Sequence, residues 1–180
     1  MRIVAGLIMS LLLLGPAQAQ PATSAYTDLD LAQCSVMQTD DFGTTWACPG
    51  YKGIPVMVAE GDLRFFVSYG LESTTEKAAE QTLPPFNTLG PKVEWRLAPE
   101  AGALKPFATI LRFHLESEGE PAGDVLVVTR LGTGSTCHVA YIDAKANADA
   151  NEKAREAADT LARKFSCDDE PRPFGPFKAW

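Results

Sequence analysis

The longest apolar stretch of the chain lies at its N-terminus, where hydrophobic residues run almost without interruption over positions 3–14. Arg2 precedes this run with a positive charge, Gly15-Pro16 ends it, and the small-residue sequence Ala17-Gln18-Ala19 follows. This order of basic residue, apolar run and small residues is typical of a cleavable secretory signal. The run holds about a dozen residues, whereas a membrane-spanning helix needs about 20. We therefore expect an exported protein, cleaved between Ala19 and Gln20, with no membrane span afterwards.

Most of the remaining pattern is the two-residue alternation of half-buried strands. Strands are predicted at 33–37, 44–48, 54–59, 63–69, 93–97, 107–116, 124–131 and 134–142. The segment 124–131 is almost continuously apolar, which indicates a central position in a sheet.

One segment, from about 148 to 165, has helical spacing instead. Its apolar stripe consists of Ala150, Ala154, Ala157, Ala158, Leu161 and Phe165. Asp149 and Glu152 have the spacing of a capping box at its start. Strands in succession followed by one long helix predict an α+β fold, a single domain with a mainly antiparallel sheet. We expect the helix to cover one sheet face and the other face to stay open.

Three segments fit neither pattern well. Residues 72–81 favour a short surface helix, because they are helix formers with a weak apolar stripe. Residues 83–91 contain three prolines and predict an irregular loop. The proline-rich and aromatic end predicts an extended or mobile tail. The expected organisation is therefore a signal peptide at 1–19, an N-terminal leader at 20–32, one domain at 33–170 and a tail at 171–180.

The four cysteines, an even number in a chain expected to be exported, indicate two disulfides. A hairpin centred on Asp41 places Cys34 directly opposite Cys48, at a distance that suits a disulfide. Cys137 begins the last long strand, and Cys167 follows the helix that returns along it. Since strand and helix cover similar lengths, we expect the second bridge between these two residues, contributing about 3–4 kcal/mol in the chain-entropy account.

Charge and motifs exclude several classes of partner and cofactor. The formal net charge of −7 disfavours nucleic acid as a partner. Neither a CxxC pair nor a tight Cys/His cluster is present, so we expect no metal and no cofactor. The acidic pairs Asp40-Asp41 and Asp168-Asp169 lack the oxygen pattern of an EF-hand. Gly132-Thr133-Gly134 resembles a phosphate-binding loop only superficially, because no Lys-Ser/Thr follows it, and we interpret it as a hairpin turn.

The two histidines, His114 and His138, both lie in predicted strands. Each is interpreted first as a structural residue, His114 in a cross-strand network on the face of Arg112. The alternative is a general base acting with a nearby serine or aspartate. No GxSxG elbow supports a serine nucleophile.

The polar sides of four predicted strands carry arginines, namely Arg64, Arg96, Arg112 and Arg130. If these strands are neighbours, the arginines and His114 form a row on the open sheet face that suits carboxylate or phosphate ligands. The alternative is ion pairing with acidic residues nearby, which are Asp62, Glu94, Glu116 and Asp124.

These observations leave three hypotheses for function. The first is a non-catalytic bacterial protein, periplasmic or secreted, that binds an unknown envelope protein or a small anionic ligand. The second is a small periplasmic hydrolase that uses His114 or His138. The third, an inhibitor of an external enzyme, shares every sequence feature with the first. The proline-rich loop 83–91 and the aromatic residues Phe174, Phe177 and Trp180 are candidate contact elements.

Overall fold

A computed structural model describes residues 21–117 and 120–180. Its strands are β1 (Thr23–Asp28), β2 (Ser35–Asp40), β3 (Gly43–Cys48), β4 (Val56–Gly61), β5 (Arg64–Tyr69), β6 (Phe86–Glu100), β7 (Ala103–Ser117), β8 (Glu120–Arg130), β9 (Cys137–Asp143) and β10 (Arg172–Pro173). The one α-helix of the described residues, α1 (Ala150–Leu161), continues into the 3-10 turn Ala162–Lys164. The structure is an α+β domain, as the sequence predicts.

The larger sheet has six strands in the order β1-β6-β7-β8-β9-β10. All neighbours are antiparallel except the short β10, which pairs with β9 in parallel. The apolar strand β8 lies in its interior, with Val125 and Val127 on one face and Leu126 and Val128 on the other. Its continuous hydrophobicity reflects burial on both faces, which confirms the predicted central position.

Helix α1 covers one face of this sheet through alanines. The buried residues follow a four-residue step, Ala150, Ala154, Ala158 and Ala162, with Ala157 beside them. Leu161, predicted to belong to the apolar stripe, is instead exposed. The side chain of Asp149 makes no capping hydrogen bond and pairs with Lys153, 3.2 Å away, so the predicted capping box is wrong.

A second sheet, with strand order β2-β3-β4-β5, covers the other face of the larger sheet. Its apolar side chains pack around Trp95, which is fully buried and contacts Tyr69 edge-to-face. The expectation of an open sheet face is therefore wrong. The sequence predicts the strands of both sheets but does not reveal that they separate into two layers.

Two local predictions fail for identifiable reasons. The predicted loop 83–91 contains the start of β6. Pro91 is tolerated in this strand because it lies where the pairing with β7 is irregular, between Leu89 and Val93. Its missing N–H therefore breaks no regular ladder of hydrogen bonds. The predicted helix 72–81 is a series of turns with a 3-10 helix at Lys77–Glu80. Glu76, within it, is buried and binds a neighbouring loop.

Both predicted disulfides are present. Cys34 and Cys48 have Cα atoms 4.4 Å apart, and the neighbouring pair Val36–Trp46 has the predicted register. The bulge at Met37 shifts the rest of β2 by one residue, so the turn contracts to Asp41-Phe42. Cys137 and Cys167 have Cα atoms 5.7 Å apart and join the start of β9 to the segment after α1.

The ends of the described chain also belong to the folded domain. The segment expected as a leader forms β1, which pairs along its whole length with β6. The tail is extended, and Phe174 packs on the helix-side core. Phe177 packs against the inter-sheet core and contacts Trp180. The predicted signal peptide, 1–19, lies outside the described residues.

No helix among the described residues is long and apolar enough to cross a membrane. The two disulfides are compatible with an extracellular or periplasmic protein.

Candidate functional site

A cleft of about 600 Å³ lies beyond the start of α1, where the helix no longer covers the sheet. Its walls come from the paired strands β7 and β8, from the loop after β9, and from the first turn of α1. The polar side chains that line it are those of Arg112, His114, Glu116, Asp124, Lys145, Asn147 and Asn151. We call this cavity the Arg112 cleft.

Asp124 lines this cleft and contacts two basic side chains. Its Oδ1 lies 2.7 Å from His114 Nδ1, and its Oδ2 accepts a hydrogen bond of 3.1 Å from Arg112 Nη1. The pairing is built into the sheet, because Asp124 lies directly opposite His114 in the β7–β8 register. All three side chains are partly exposed, so they are open to a ligand in solution.

The second terminal nitrogen of Arg112, Nη2, makes a weaker contact than Nη1. Arg112 Nη2 has only a 3.5 Å contact with Asn151 Oδ1, at the first turn of α1. The N–H groups of Nη2 can therefore donate to a carboxylate or phosphate oxygen in the cleft.

Gly90 of β6 lies close to Arg112 and His114 of the neighbouring strand. A Cβ atom at Gly90 would lie 3.0 Å from Arg112 Cβ and 3.7 Å from His114 Nε2. A side chain at this position would therefore crowd Arg112.

The structure divides the predicted row of arginines. Arg96, Arg112 and Arg130 lie on the helix-side face, but α1 and the turn after it cover Arg96 and Arg130. Arg64 lies in the smaller sheet and pairs with Asp62. Of the five residues predicted for an anion-binding face, only Arg112 and His114 meet in one cavity.

Arg96 belongs to a buried ion network that ties α1 to the sheet. Its Nε and Nη2 donate to the Asp159 carboxylate at 3.0 and 2.6 Å. Its Nη1 lies 3.8 Å from Glu94, which also accepts a 2.7 Å hydrogen bond from Arg155 Nε. This hydrogen bond raises the pKa of Arg155 above its ordinary value. The expected pairing of Arg96 with Glu94 is present, and the helix supplies the stronger partner.

Arg130 has no carboxylate within ion-pair distance among the described residues. Its Nη1 donates to the backbone oxygen of Phe165, and its buried Nε has no partner in the described part of the chain. This arginine holds the end of the helical segment against β8.

His138 lies in the core rather than in a cleft. Its Nδ1 is 3.0 Å from the Tyr141 hydroxyl, and its ring is fully buried. Burial disfavours the charged imidazolium and lowers the pKa of His138 to about 3. This environment suits a neutral structural histidine.

The turn at Gly132-Thr133-Gly134 does bind an anionic group, but one of the protein's own. The buried carboxylate of Glu76 accepts hydrogen bonds of 2.7 Å from the backbone N–H of Gly134 and of Thr136. The hairpin interpretation agrees with the 2.9 Å bond from Ser135 N to Gly132 O. Glu76 therefore occupies the loop amides that a phosphate would need.

Among the described residues, no group of three or more His, Cys, Asp or Glu side chains is arranged to hold a metal ion. Asp40 has a local role: its carboxylate accepts a 2.9 Å hydrogen bond from Phe42 N, which lowers the pKa of Asp40 and stabilises the β2–β3 turn.

Comparison with known protein families, with curated proteins and with solved structures found no match.

Sequence reasoning missed two parts of the site. Asp124 was expected only as an ion-pair partner of arginine, and its contact with His114 depends on the strand register. The loop with Lys145 and Asn147, which closes the cleft, has no sequence motif. The one signal that could have placed Asp124 beside His114 is the pairing register of the β7–β8 hairpin.

Proposed function

We propose that this is an exported, non-catalytic binding protein that holds a small anionic ligand in the Arg112 cleft. The observation that carries the proposal is the arrangement of Arg112. Its Nη1 donates to Asp124, whereas its Nη2 has only the weak contact with Asn151. The first turn of α1 adds the positive end of the helix dipole to the same cavity.

Export rests on the signal-like N-terminus and is supported by the two disulfides. The proposed location is the periplasm or the extracellular space. An oxidising compartment lets both bridges form. The bridges stabilise the folded domain because they reduce the entropy of the unfolded chain.

Isothermal titration calorimetry of the purified protein with acetate and with inorganic phosphate tests the proposal. Replacing Arg112 by Gln should weaken binding about tenfold or more, since a charge-assisted hydrogen bond is lost. Arg163→Gln is the matched control: Arg163 is exposed, packs over the Phe107 ring, and lies outside the cleft. Equal affinities for the wild type and Arg112→Gln, or no binding of either anion, would overturn the proposal.

A second candidate function, a hydrolase, is favoured by the 2.7 Å contact between His114 and Asp124. A carboxylate can orient a histidine that removes a proton from water. Hydrolysis of p-nitrophenyl ester and phosphate substrates, compared between the wild type and His114→Gln, tests this candidate. Turnover that disappears in the variant would replace the binding proposal by the enzymatic one.

A further inference from the structure

A second cavity adjoins the Arg112 cleft beneath the C-terminal tail. It has a volume of about 390 Å³ and shares three lining residues with the cleft, namely Ala122, Gly123 and Lys145. At the shared boundary Gly123 has no side chain, and a Cβ there would meet no atom within 4 Å. The two cavities therefore meet at a residue whose own side faces open space.

Two buried side chains, those of Asp143 and Asn147, fix the tail over this second cavity. The Asp143 carboxylate accepts a hydrogen bond of 2.9 Å from the backbone N–H of Lys178. Asn147 Nδ2 donates to Pro176 O at 2.7 Å. These contacts hold the tail at the cavity, which Lys178 and Lys145 both line.

The charges of the second cavity favour an anion. Within the described residues, no carboxylate lies in ion-pair distance of the ammonium group of Lys145 or Lys178. The one acidic residue that lines the cavity, Asp143, is already satisfied by three backbone N–H groups, those of Lys145, Ala146 and Lys178. Two lysines thus remain available to a ligand in a protein of net charge −7.

We propose that the two cavities form one site for an elongated ligand with two anionic ends, carboxylate or phosphate, for which straight-chain dicarboxylates are the probe. One anionic group lies at Arg112 and the other between Lys145 and Lys178. This inference rests on the proposed function, because it extends the anion site of the Arg112 cleft. It adds the ligand's shape and the number of its charged ends.

The test is a calorimetric series of straight-chain dicarboxylates from succinate to sebacate, each compared with the monocarboxylate of equal length. The best dicarboxylate should bind about tenfold or more tightly than its monocarboxylate, since its second end binds without a further loss of free translation. This exceeds the statistical advantage of two identical ends. Lys178→Gln should abolish the gain, whereas Lys164→Gln, at an exposed lysine outside both cavities, should leave it unchanged.

A steric variant tests the connection between the cavities. Ala122 is exposed and lines both of them, so Ala122→Leu should narrow the passage without disturbing the core. It should remove the dicarboxylate gain, measured as the ratio of dicarboxylate to monocarboxylate affinity. If monocarboxylates bind through Arg112 but no dicarboxylate binds more tightly, or if the gain survives Lys178→Gln, the dianion inference is wrong and the proposed function stands. If no probe binds, the proposed function fails as well.

Discussion

Asp124 Oδ1 lies 2.7 Å from His114 Nδ1, and the two residues face each other directly across the β7–β8 pair. The same carboxylate accepts a hydrogen bond from Arg112. In a binding site this carboxylate competes with an anionic ligand for Arg112. In a hydrolase it would orient the base. The role of Asp124 therefore separates the two candidate functions.

Asp124→Asn should lower the dissociation constant for an anion by up to about tenfold. The substitution removes a negative charge beside Arg112 while keeping the shape of the side chain. Calorimetric titration with acetate measures the change. The exposed Asp168→Asn, outside the cleft, serves as the control for net charge. Weaker binding in Asp124→Asn, with an unchanged control, would contradict an anion site built on Arg112.

The buried His138 should make the protein less stable in acid. Its pKa is about 3 in the folded protein and 6.5 ordinarily. As pH falls below 6.5, the unfolded chain binds a proton that the folded protein does not, so stability falls until about pH 3. The loss approaches about 1.4 kcal/mol per pH unit in the middle of this range.

Urea unfolding of the wild type and of His138→Gln at a series of pH values from 7 to 4 measures this effect. As pH falls, the free energy of unfolding should decrease more for the wild type than for the variant. The carboxylates titrate in both proteins and cancel in this difference. Parallel pH profiles would show that His138 is not buried in its neutral form.

Glu76 should contribute strongly to stability through the Gly134–Thr136 turn. Glu76→Gln replaces one acceptor oxygen by an NH₂ group that faces a backbone N–H, and it removes the charge from both hydrogen bonds. We expect a loss of about 2–3 kcal/mol in the free energy of unfolding. Urea unfolding measures it, with the exposed Glu72→Gln as control. Equal stabilities of the two variants would contradict the described contact.

Features that depend on local periodicity could be predicted from the sequence. The Cys34–Cys48 bridge follows from alternation and an opposed pair, and the other bridge from matched strand and helix lengths. The central position of β8 follows from continuous hydrophobicity. Each of these signals lies within one or two neighbouring elements.

Other features depend on contacts that periodicity does not encode. The bulge at Met37 shifts register without a sequence mark, and Pro91 is tolerated because pairing is already irregular there. Likewise, alternation shows that a strand has a polar side but not what covers it. Arg96 and Arg112 have the same pattern, yet α1 buries one and leaves the other in the cleft.

The position at which an anion binds can be read from NMR spectra residue by residue. In ¹H–¹⁵N NMR spectra recorded during a phosphate titration, the amide signals of His114, Lys145 and Asn151 should move together and saturate. Signals of the smaller sheet, such as that of Val58, should stay fixed. Saturable shifts confined to the Arg112 cleft, and absent in Arg112→Gln, are the predicted result. Shifts outside the Arg112 cleft and the adjoining lysine cavity, or shifts at the cleft that persist in Arg112→Gln, would show that the anion site is not built on Arg112.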